Sequence, residues 1–471
     1  MAFVISVPPI LSRALVYPLQ ERFLGRPTME YLADLERTQW LSRKEIEALQ
    51  ERKLEKLLRL AYTHCPWHAR RFEQAGVVPE RFESLSLSAL QKIPTMTKED
   101  ARANAERMVW RGVPGGAHAY NTGGSSGAPL QFHFGRRRQA SDAAGRIRAR
   151  RWWGAGLGDR EVYLWGAPVE LGKTDRIKTV RDRLLNQLVL NAFEMSPRNM
   201  DEYLDAIEDY KPSCIYGYAS SIALLAAHAD ARGRHPRLSA LKVVCTTGEP
   251  LYPHQRELIG RVFKSTVANE FGSRDIGFTA HETPAGQMLL MSESIVLEVL
   301  RPNGEPVPAG EMGEAVVTGL CSDAQPFIRY RTGDMIRMSG ERCKEGRGLH
   351  VIEEVTGRTT DFVVRADGTI MHALALIYVL RSVSGVAEFK IIQHRVEDIE
   401  VRIVTNNQWK DDYGHHITTG LQSRLGSSAR VSIRLVDSIP VEASGKYRYV
   451  VSHVGLSNDL ASALRTAAVH S

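Results

Sequence analysis

CIYGYASSIALLAAHADARGRHPRLSALKVVCTTG, Cys214 to Gly248, is the stretch that decides the fold. CIYGY is short, aromatic and β-branched, which is strand composition, and SSIALLAAHADARG is helix-forming and closes on a glycine. LKVVCTTG then repeats the strand signal, and a further helix is expected around His254 to Phe263. The two strand signals begin roughly 27 residues apart with a helix between them, the spacing of a parallel crossover rather than a hairpin. An α/β domain with parallel strands follows.

Working upstream, VYLWG (162–166) supplies another strand, and Ser196 with Pro197 starts a helix. The opening hundred residues read as mainly helical. In SRKEIEALQERKLEKLLRLAY, Ile46, Leu49, Leu54, Leu57 and Leu58 recur at helical spacing, and Ser42 with Glu45 has the capping-box pattern. Thr97 and Asp100 start a further helix. Downstream of Glu282 the pattern changes to short alternating strands, SIVLEVL (294–300) and GEAVVTG (313–319). The last hundred or so residues read as strand pair, helix, strands, helix, strand. DFVVRADGT forms a hairpin there, and FKIIQHRVEDIEVRIVT forms two strands or one long one. The domain boundary is expected near Thr356 to Arg358.

Composition narrows the class. The chain of 471 residues is 43% hydrophobic and 24% charged, so it can bury substantial cores and is neither disordered nor low in complexity. Its formal charge is +7. The basic residues are scattered, with clusters at Arg136 to Arg138 and Arg146 to Arg151, which argues against nucleic acid and suits a polyanionic small molecule. Five cysteines without a CxxC pair indicate reduced thiols, and a cytoplasmic enzyme is expected. The N-terminal MAFVISVPPILSRALVYPLQERF lacks an early positive region and contains three prolines, so neither a signal peptide nor a membrane span is expected. A membrane-associated or partner-docking helix at Leu11 to Phe23 stays open as an alternative.

Five segments carry chemistry. YNTGGSSGAPLQF (120–132) packs glycines and hydroxyl residues so that a backbone can approach phosphate, but no GKS or GKT follows it. TTGEPL (246–251) leads to NEFGSRD (269–275), where Phe271 can stack on a base, Asn269 can bond its edge and Asp275 can hold magnesium. In FIRYRTGDMIRM (327–338), Asp334 can accept two ribose hydroxyls. VTGRTTDFVV (355–364) offers Arg358, and EASGKYRYV (442–450) offers Lys446. Each has an ordinary explanation on its own: a glycine–serine turn, a core phenylalanine, an ion pair of Asp334 with Arg329 or Arg331, a solvated lysine.

In this order the five segments resemble the adenylate-forming superfamily of acyl-CoA synthetases, adenylation domains and luciferases, most closely its phenylacetate-CoA ligase-like branch. The resemblance runs from about Trp67 to Lys446 and includes THCPWHARRF and IPTMTKEDAR. It implies a large adenylate-forming N-terminal domain of several subdomains (1–357, with a helical lead-in over about 1–110) and a small mobile α+β lid (358–471). It further implies that Thr122, Gly123, Gly124, Ser125, Ser126 and Gly127 handle the phosphates of ATP. Gly248, Glu249 and Pro250 with Asn269 and Phe271 would surround adenine, and Gly272 and Ser273 belong to the same nucleotide-binding set. Asp334 and Arg358 would hold ribose, Lys446 falls on the catalytic lysine, and the hinge corresponds to Thr360.

Three positions depart from the family. Leu130 stands where many relatives have lysine, Asp275 replaces the magnesium-binding glutamate, and Arg274 replaces threonine and can compensate at phosphate. The acyl pocket is expected between Trp165 and Gly166, the segment Tyr216 to Ser220 and the strand at Thr246, with an aromatic wall of Trp165, Tyr216 and Tyr218 that suits an aryl acid. The expected reaction couples ATP and magnesium to a carboxylic acid and passes the acyl group to CoA. An amide ligase with an amine acceptor and a catalytically inactive nucleotide-binding partner are the alternatives, and a homodimer is a candidate assembly.

Overall fold

The structure is a computed structural model that describes residues 7–78, 80, 82, 86–121, 130–166, 180–192, 195–301, 303–356, 362–367, 370–439 and 449–454. The lead-in is helical, as its periodicity requires. Ser42 caps the helix Arg43–His64, its side chain accepting from the Glu45 amide while the Glu45 carboxylate accepts from the Ser42 amide at 2.8 Å. Thr97 and Asp100 repeat the arrangement at the helix Lys98–Ala103. Each box satisfies amides that a helix start otherwise leaves without partners.

After a small hairpin of β1 (His118–Asn121) and β2 (Gln131–Phe134), the chain builds one large sheet. Its strands are β3 (Glu161–Trp165), β4 (Gln187–Asn191), β5 (Cys214–Tyr218), β6 (Val243–Thr247), β7 (Thr266–Ser273), β8 (Gly277–Glu282), β9 (Met288–Leu290), β10 (Ile295–Leu300), β11 (Met312–Gly319), β12 (Tyr330–Met338) and β13 (Val351–Thr356). Among the described residues the order is β10-β11-β12-β13-β9-β8-β7-β6-β5-β3-β4. From β4 to β7 neighbours run parallel, and from β7 to β10 they run antiparallel. The change of pattern seen in the sequence near Glu282 therefore corresponds to a change of pairing within one continuous sheet.

The helix Ala219–Ala231 is buried from Ala219 to Ala229, which is why its sequence is apolar on every side. The helix expected near His254 to Phe263 spans Pro253–Phe263. Two elements that the sequence reading did not place are the helix Arg136–Trp152, which carries Arg138, Arg146 and Arg150, and β4, which lies between VYLWG and the Ser196-capped helix Pro197–Tyr210 at the edge of the sheet with Val189 exposed. The apolar run of β4, Leu188 to Leu190, is too short for periodicity to separate a strand from a helix.

The C-terminal residues form a second layer. β14 (Phe362–Val364) pairs with β15 (Ile370–His372), and the helix Leu374–Arg381 follows. Then β16 (Val386–Arg395) and β17 (Asp398–Thr405) resolve FKIIQHRVEDIEVRIVT into two antiparallel strands. The helix Tyr413–Leu425, β18 (Arg430–Leu435) and β19 (Val450–Ser452) complete a sheet ordered β18-β17-β16-β19. Buried side chains run continuously from Val162, Leu164 and Tyr218 of the large sheet to Leu376, Ile391, Ile399 and Ile417 of this layer.

Candidate active site

Ligands in open α/β sheets bind beyond the carboxyl ends of the parallel strands, and the strand register sets those ends level here. Leu164 faces Gly217, Tyr218 faces Thr247, and Thr246 faces Asn269. Gly217 has no room for a side chain, since a Cβ would stand 2.3 Å from the Leu164 carbonyl oxygen. Gly248 turns the chain out of β6 with φ +79°, close against the Tyr218 ring. Glu249 then reaches back to the start of the helix Ala219–Ala231, where the Ser220 amide donates to it at 2.7 Å and the Ser220 hydroxyl donates as well. That carboxylate takes up a helix-start amide and ties the loop after β6 to the end of β5.

The rings of Trp165, Tyr216 and Tyr218 come together. Trp165 stacks on Tyr218 with ring centroids 4.4 Å apart and on Tyr216 at 5.8 Å. Behind these rings lies a charged layer that sequence reading missed. The Tyr216 hydroxyl donates to Glu270 at 2.9 Å, Thr247 donates to the same oxygen at 3.1 Å, and Arg146 approaches it at 3.6 Å. Arg150 lies over the Tyr216 ring and pairs with Glu161 at 2.7 Å, with Tyr163 donating to Glu161 at 2.8 Å. Burial, then the neighbouring Glu270, pushes the Tyr216 phenol above its usual range, so it stays a hydrogen-bond donor. Burial alone would lower the Arg146 guanidinium, but Glu270, Tyr216 and Asp142 together outweigh it and hold Arg146 charged. Arg146 and Arg150 stood out in sequence only as a basic cluster; their partners come from other strands.

β7 ends in a corner built by Gly272 to Asp275. The register shifts between Phe271 and Gly272, and a Cβ on Gly272 would stand 2.5 Å from the Gly277 carbonyl oxygen. Asp275 accepts from the Ser273 hydroxyl on one carboxylate oxygen and from the Tyr330 hydroxyl, at 2.9 Å, on the other. Arg138 clamps the corner from outside, donating to the Asp275 carbonyl at 2.6 Å and the Arg274 carbonyl at 3.0 Å. The Arg274 side chain points elsewhere. It donates to the Asn121 carbonyl at 3.4 Å and to the Tyr378 hydroxyl at 3.1 Å, with its guanidinium 5.8 Å from the centre of the Tyr120 ring.

Tyr330 opens β12, the strand that carries Asp334, and Met96 of IPTMTKEDAR bonds both sides of it, donating to the Arg329 carbonyl at 2.8 Å and accepting from the Arg331 amide at 2.9 Å. Arg329 makes a two-pronged pair with Glu298, and Arg331 pairs with Glu314. These are the partners of the two arginines that a local reading would assign to Asp334. Thr122 to Gly127, Arg358, Thr360 and Lys446 lie outside the described residues. Among the described residues no cluster of three His, Cys, Asp or Glu side chains could hold a metal ion. The five cysteines are buried and free, with Cys214 and Cys245 in contact across β5 and β6 at 3.9 Å.

Comparison with known proteins bears on most of the chain. Residues 363–453 match the family model of the CapK C-terminal domain. Phenylacetate-coenzyme A ligase of Thermus thermophilus is 24% identical over 411 residues, 83% of this chain and 87% of that protein. The enzyme of the same name from Aromatoleum evansii is 26% identical over 348 residues, 70% and 74% of the two chains. Over most of its length the chain is similar to the phenylacetate-CoA ligase-like branch of the adenylate-forming superfamily. Protein CapK of Staphylococcus aureus is 21% identical over 376 residues, 79% of this chain and 82% of that one. A crystal structure of 2-hydroxyisobutyryl-CoA ligase with 2-HIB-AMP and CoA has the same fold, with TM-score 0.59 and 21% identity over 92% of this chain and 94% of that one.

Two features of the site were beyond sequence reading. Tyr330 and Tyr378 meet Asp275 and Arg274 through tertiary contacts with sequence separations of 55 and 104 residues. Glu270 lies inside the quoted NEFGSRD segment, yet nothing local distinguishes its side chain from a solvated strand residue. The residues that structure and sequence bring to one place are Trp165, Gly166, Tyr216, Tyr218, Thr246, Gly248, Glu249, Pro250 and Asn269 to Asp275, at the carboxyl ends of β3, β5, β6 and β7.

Proposed function

We propose that this protein is an ATP-dependent acid–thiol ligase that converts a carboxylic acid to an acyl-adenylate and then to an acyl-CoA thioester. The carrying observation is the convergence of the stacked Trp165, Tyr216 and Tyr218 rings and the Gly272–Asp275 corner at one end of the parallel strands, in a chain similar to this branch. In the first step a substrate carboxylate oxygen attacks the α-phosphorus of ATP, and the bond to pyrophosphate breaks. In the second, the CoA thiol sulfur attacks the acyl carbon, AMP departs and the thiol proton is released.

Several assignments rest on the family pattern. Gly248, Glu249, Pro250, Asn269 and Phe271 would line adenine, Thr122 to Gly127 the phosphates, and Asp334 with Arg358 the ribose. Lys446 would stabilise charge at the transferring phosphorus. Magnesium fits Asp275: each of its carboxylate oxygens accepts one hydroxyl and keeps lone-pair capacity, and magnesium bound with phosphates needs only one or two protein carboxylates. Bound there, the ion would neutralise phosphate charge. A hinge at Thr360 between residues 1–357 and 358–471 would let the second layer turn between the two steps.

Purified protein is supplied with ATP, magnesium and a panel of carboxylic acids, with and without CoA, while pyrophosphate release is followed and products are identified by mass spectrometry. An acyl-CoA product is the expected outcome. Pyrophosphate release with a retained acyl-adenylate and no thioester would replace CoA with an amine or another acceptor. ATP binding without pyrophosphate release from any acid would replace the ligase with an inactive nucleotide-binding protein.

A further inference from the structure

The N-terminal helix has its polarity inverted. Helical residues run continuously from Pro9 to Phe23, with Ser12–Val16 in the wider π form. Pro18 lacks the amide of a regular helix and its ring crowds the carbonyl one turn back, which a π turn relieves. The face against the protein carries polar groups. Ser12 is fully buried, and Glu21 is 1% exposed and held by Arg26 and the Thr28 hydroxyl. Tyr17 packs with Leu32, Leu35, Ala144 and Ile147. The outward face carries Ile10, Leu11, Leu15, Leu19 and Phe23, exposed by 66%, 44%, 49%, 54% and 90%.

This orientation is fixed. Val7 exchanges hydrogen bonds with the Asn186 side chain at 3.0 and 2.8 Å. Gly158 lies so close beneath the helix that a Cβ would stand 2.5 Å from the Pro9 carbonyl oxygen and 2.8 Å from the Arg13 nitrogen. Rolling the helix to cover its leucines would expose these contacts and the Glu21 cluster. Leu11, Leu15, Leu19 and Phe23 follow at intervals of four, and the stripe from Ile10 is about 20 Å long at a helical rise. A continuous exposed apolar stripe of this kind marks an interaction surface rather than scattered surface leucines.

Charge selects the occupant. Arg13 and Arg22 are exposed on the same helix, and the sole acid between Pro9 and Arg26 is the buried, paired Glu21. Antiparallel pairing of two copies would set Arg13 of one against Arg22 of the other, which repels. An anionic bilayer surface offers apolar depth to the leucines and phenylalanine and phosphate charge to the arginines. Among the described residues no helix is long and apolar enough to cross a membrane. We propose that the Pro9–Phe23 helix seats the protein on an anionic lipid surface, with Leu11, Leu15, Leu19 and Phe23 in the acyl boundary and Arg13 and Arg22 at the headgroups.

The test is flotation of the full chain with vesicles of phosphatidylcholine alone and of phosphatidylcholine mixed with phosphatidylglycerol. The wild type is expected to float with the mixed vesicles and to be released by salt. The combined variant Leu15→Gln, Leu19→Gln, Phe23→Gln should lose roughly tenfold or more of its binding, and Arg13→Gln with Arg22→Gln should remove the preference for anionic lipid. An unchanged thermal midpoint establishes that each variant folds. Absence of flotation by the wild type, equal binding to both vesicles, or binding indifferent to the three glutamines would overturn the proposal. So would a solution dimer abolished by the same three substitutions without vesicle binding, since a second copy would then cover the stripe.

Discussion

Arg274 donates from Nη2 to the phenolic oxygen of Tyr378 across 3.1 Å, joining the corner after β7 to the helix Leu374–Arg381 of the C-terminal layer. Arg274 also reaches the Asn121 carbonyl, so one guanidinium spans the end of β1 before the glycine-rich segment, the corner beside Asp275 and the second layer. If that layer turns between half-reactions, this bond exists in one arrangement and is lost in the other. Tyr378→Phe keeps the ring and removes a bond worth about 0.5–1.5 kcal/mol. One half-reaction should slow by roughly two- to tenfold while the other stays unchanged or quickens. Pyrophosphate release and thioester formation from supplied acyl-adenylate measure the two; equal changes in both would remove the latch.

Lys446 is assigned through the family pattern to the first half-reaction alone. Lys446→Ala should cut pyrophosphate release by about a hundred- to a thousand-fold, the loss typical of one charge-stabilising donor. Conversion of supplied acyl-adenylate to thioester should change far less. Equal losses in both half-reactions would reject the assignment.

The hydroxyls of Ser273 and Tyr330 hold the Asp275 carboxylate from both sides, and Tyr330 is itself buried. They orient a side chain one methylene shorter than the family's glutamate. Asp275→Asn should raise the magnesium concentration needed for half-maximal pyrophosphate release by roughly tenfold or more, because an amide is a much weaker ligand for a hard cation. Tyr330→Phe should give an intermediate shift by loosening the carboxylate. A magnesium dependence that neither substitution moves would take the ion away from Asp275.

The parts of this fold legible in the sequence are those whose cause is local. Ser42 with Glu45 and Thr97 with Asp100 cap their helices because the interaction spans three residues, and CIYGY and VVCTT form strands because both faces are covered. β4 was missed because its apolar run of three residues is too short to show a period. Glu270, Tyr330 and Tyr378 were missed because their partners are decided by strand order: Glu270 meets Tyr216 two strands away, across β6. The N-terminal stripe was legible as apolar residues, but its outward direction follows only from the burial of Ser12 and Glu21.

His68, in the lead-in segment, donates from Nε2 to the Pro326 carbonyl at 3.0 Å and faces Arg71 through Nδ1. Burial, reinforced by Arg71, holds its pKa at about 3, against 6.5 for a free imidazole. Burial and Arg43 likewise lower His350 to about 4. The unfolded chain therefore takes up protons below pH 6.5 that the folded chain refuses. These groups leave stability unaffected above that pH and erode it as pH falls toward 4, by about 1.4 kcal/mol per unit for each histidine. His68→Gln keeps a donor for Pro326 and should flatten the decline by one proton. Urea unfolding at pH 7 and pH 5 measures this, and an unchanged difference in the variant would mean that His68 does not titrate between the two states.

The charged layer behind the aromatic wall bears on which acid is activated. Trp165 and Tyr218 present flat apolar faces, whereas Tyr216 turns its hydroxyl to Glu270 in a layer that also contains Arg146, Arg150, Glu161 and Tyr163. A purely hydrocarbon acid uses the wall and leaves the polar layer to its own internal bonds. An acid with a hydroxyl or amino group can exchange bonds with Tyr216. Tyr216→Phe keeps the stacking with Trp165 and removes the hydroxyl, leaving Glu270 to Thr247 and Arg146. The KM for a polar acid should rise by about fivefold or more, as expected for one lost hydrogen bond, while the KM for ATP and for a hydrocarbon acid stays within about twofold. A change confined to the KM for ATP would move Tyr216 out of the acyl pocket, and a uniform fall in kcat with every acid would make its role structural.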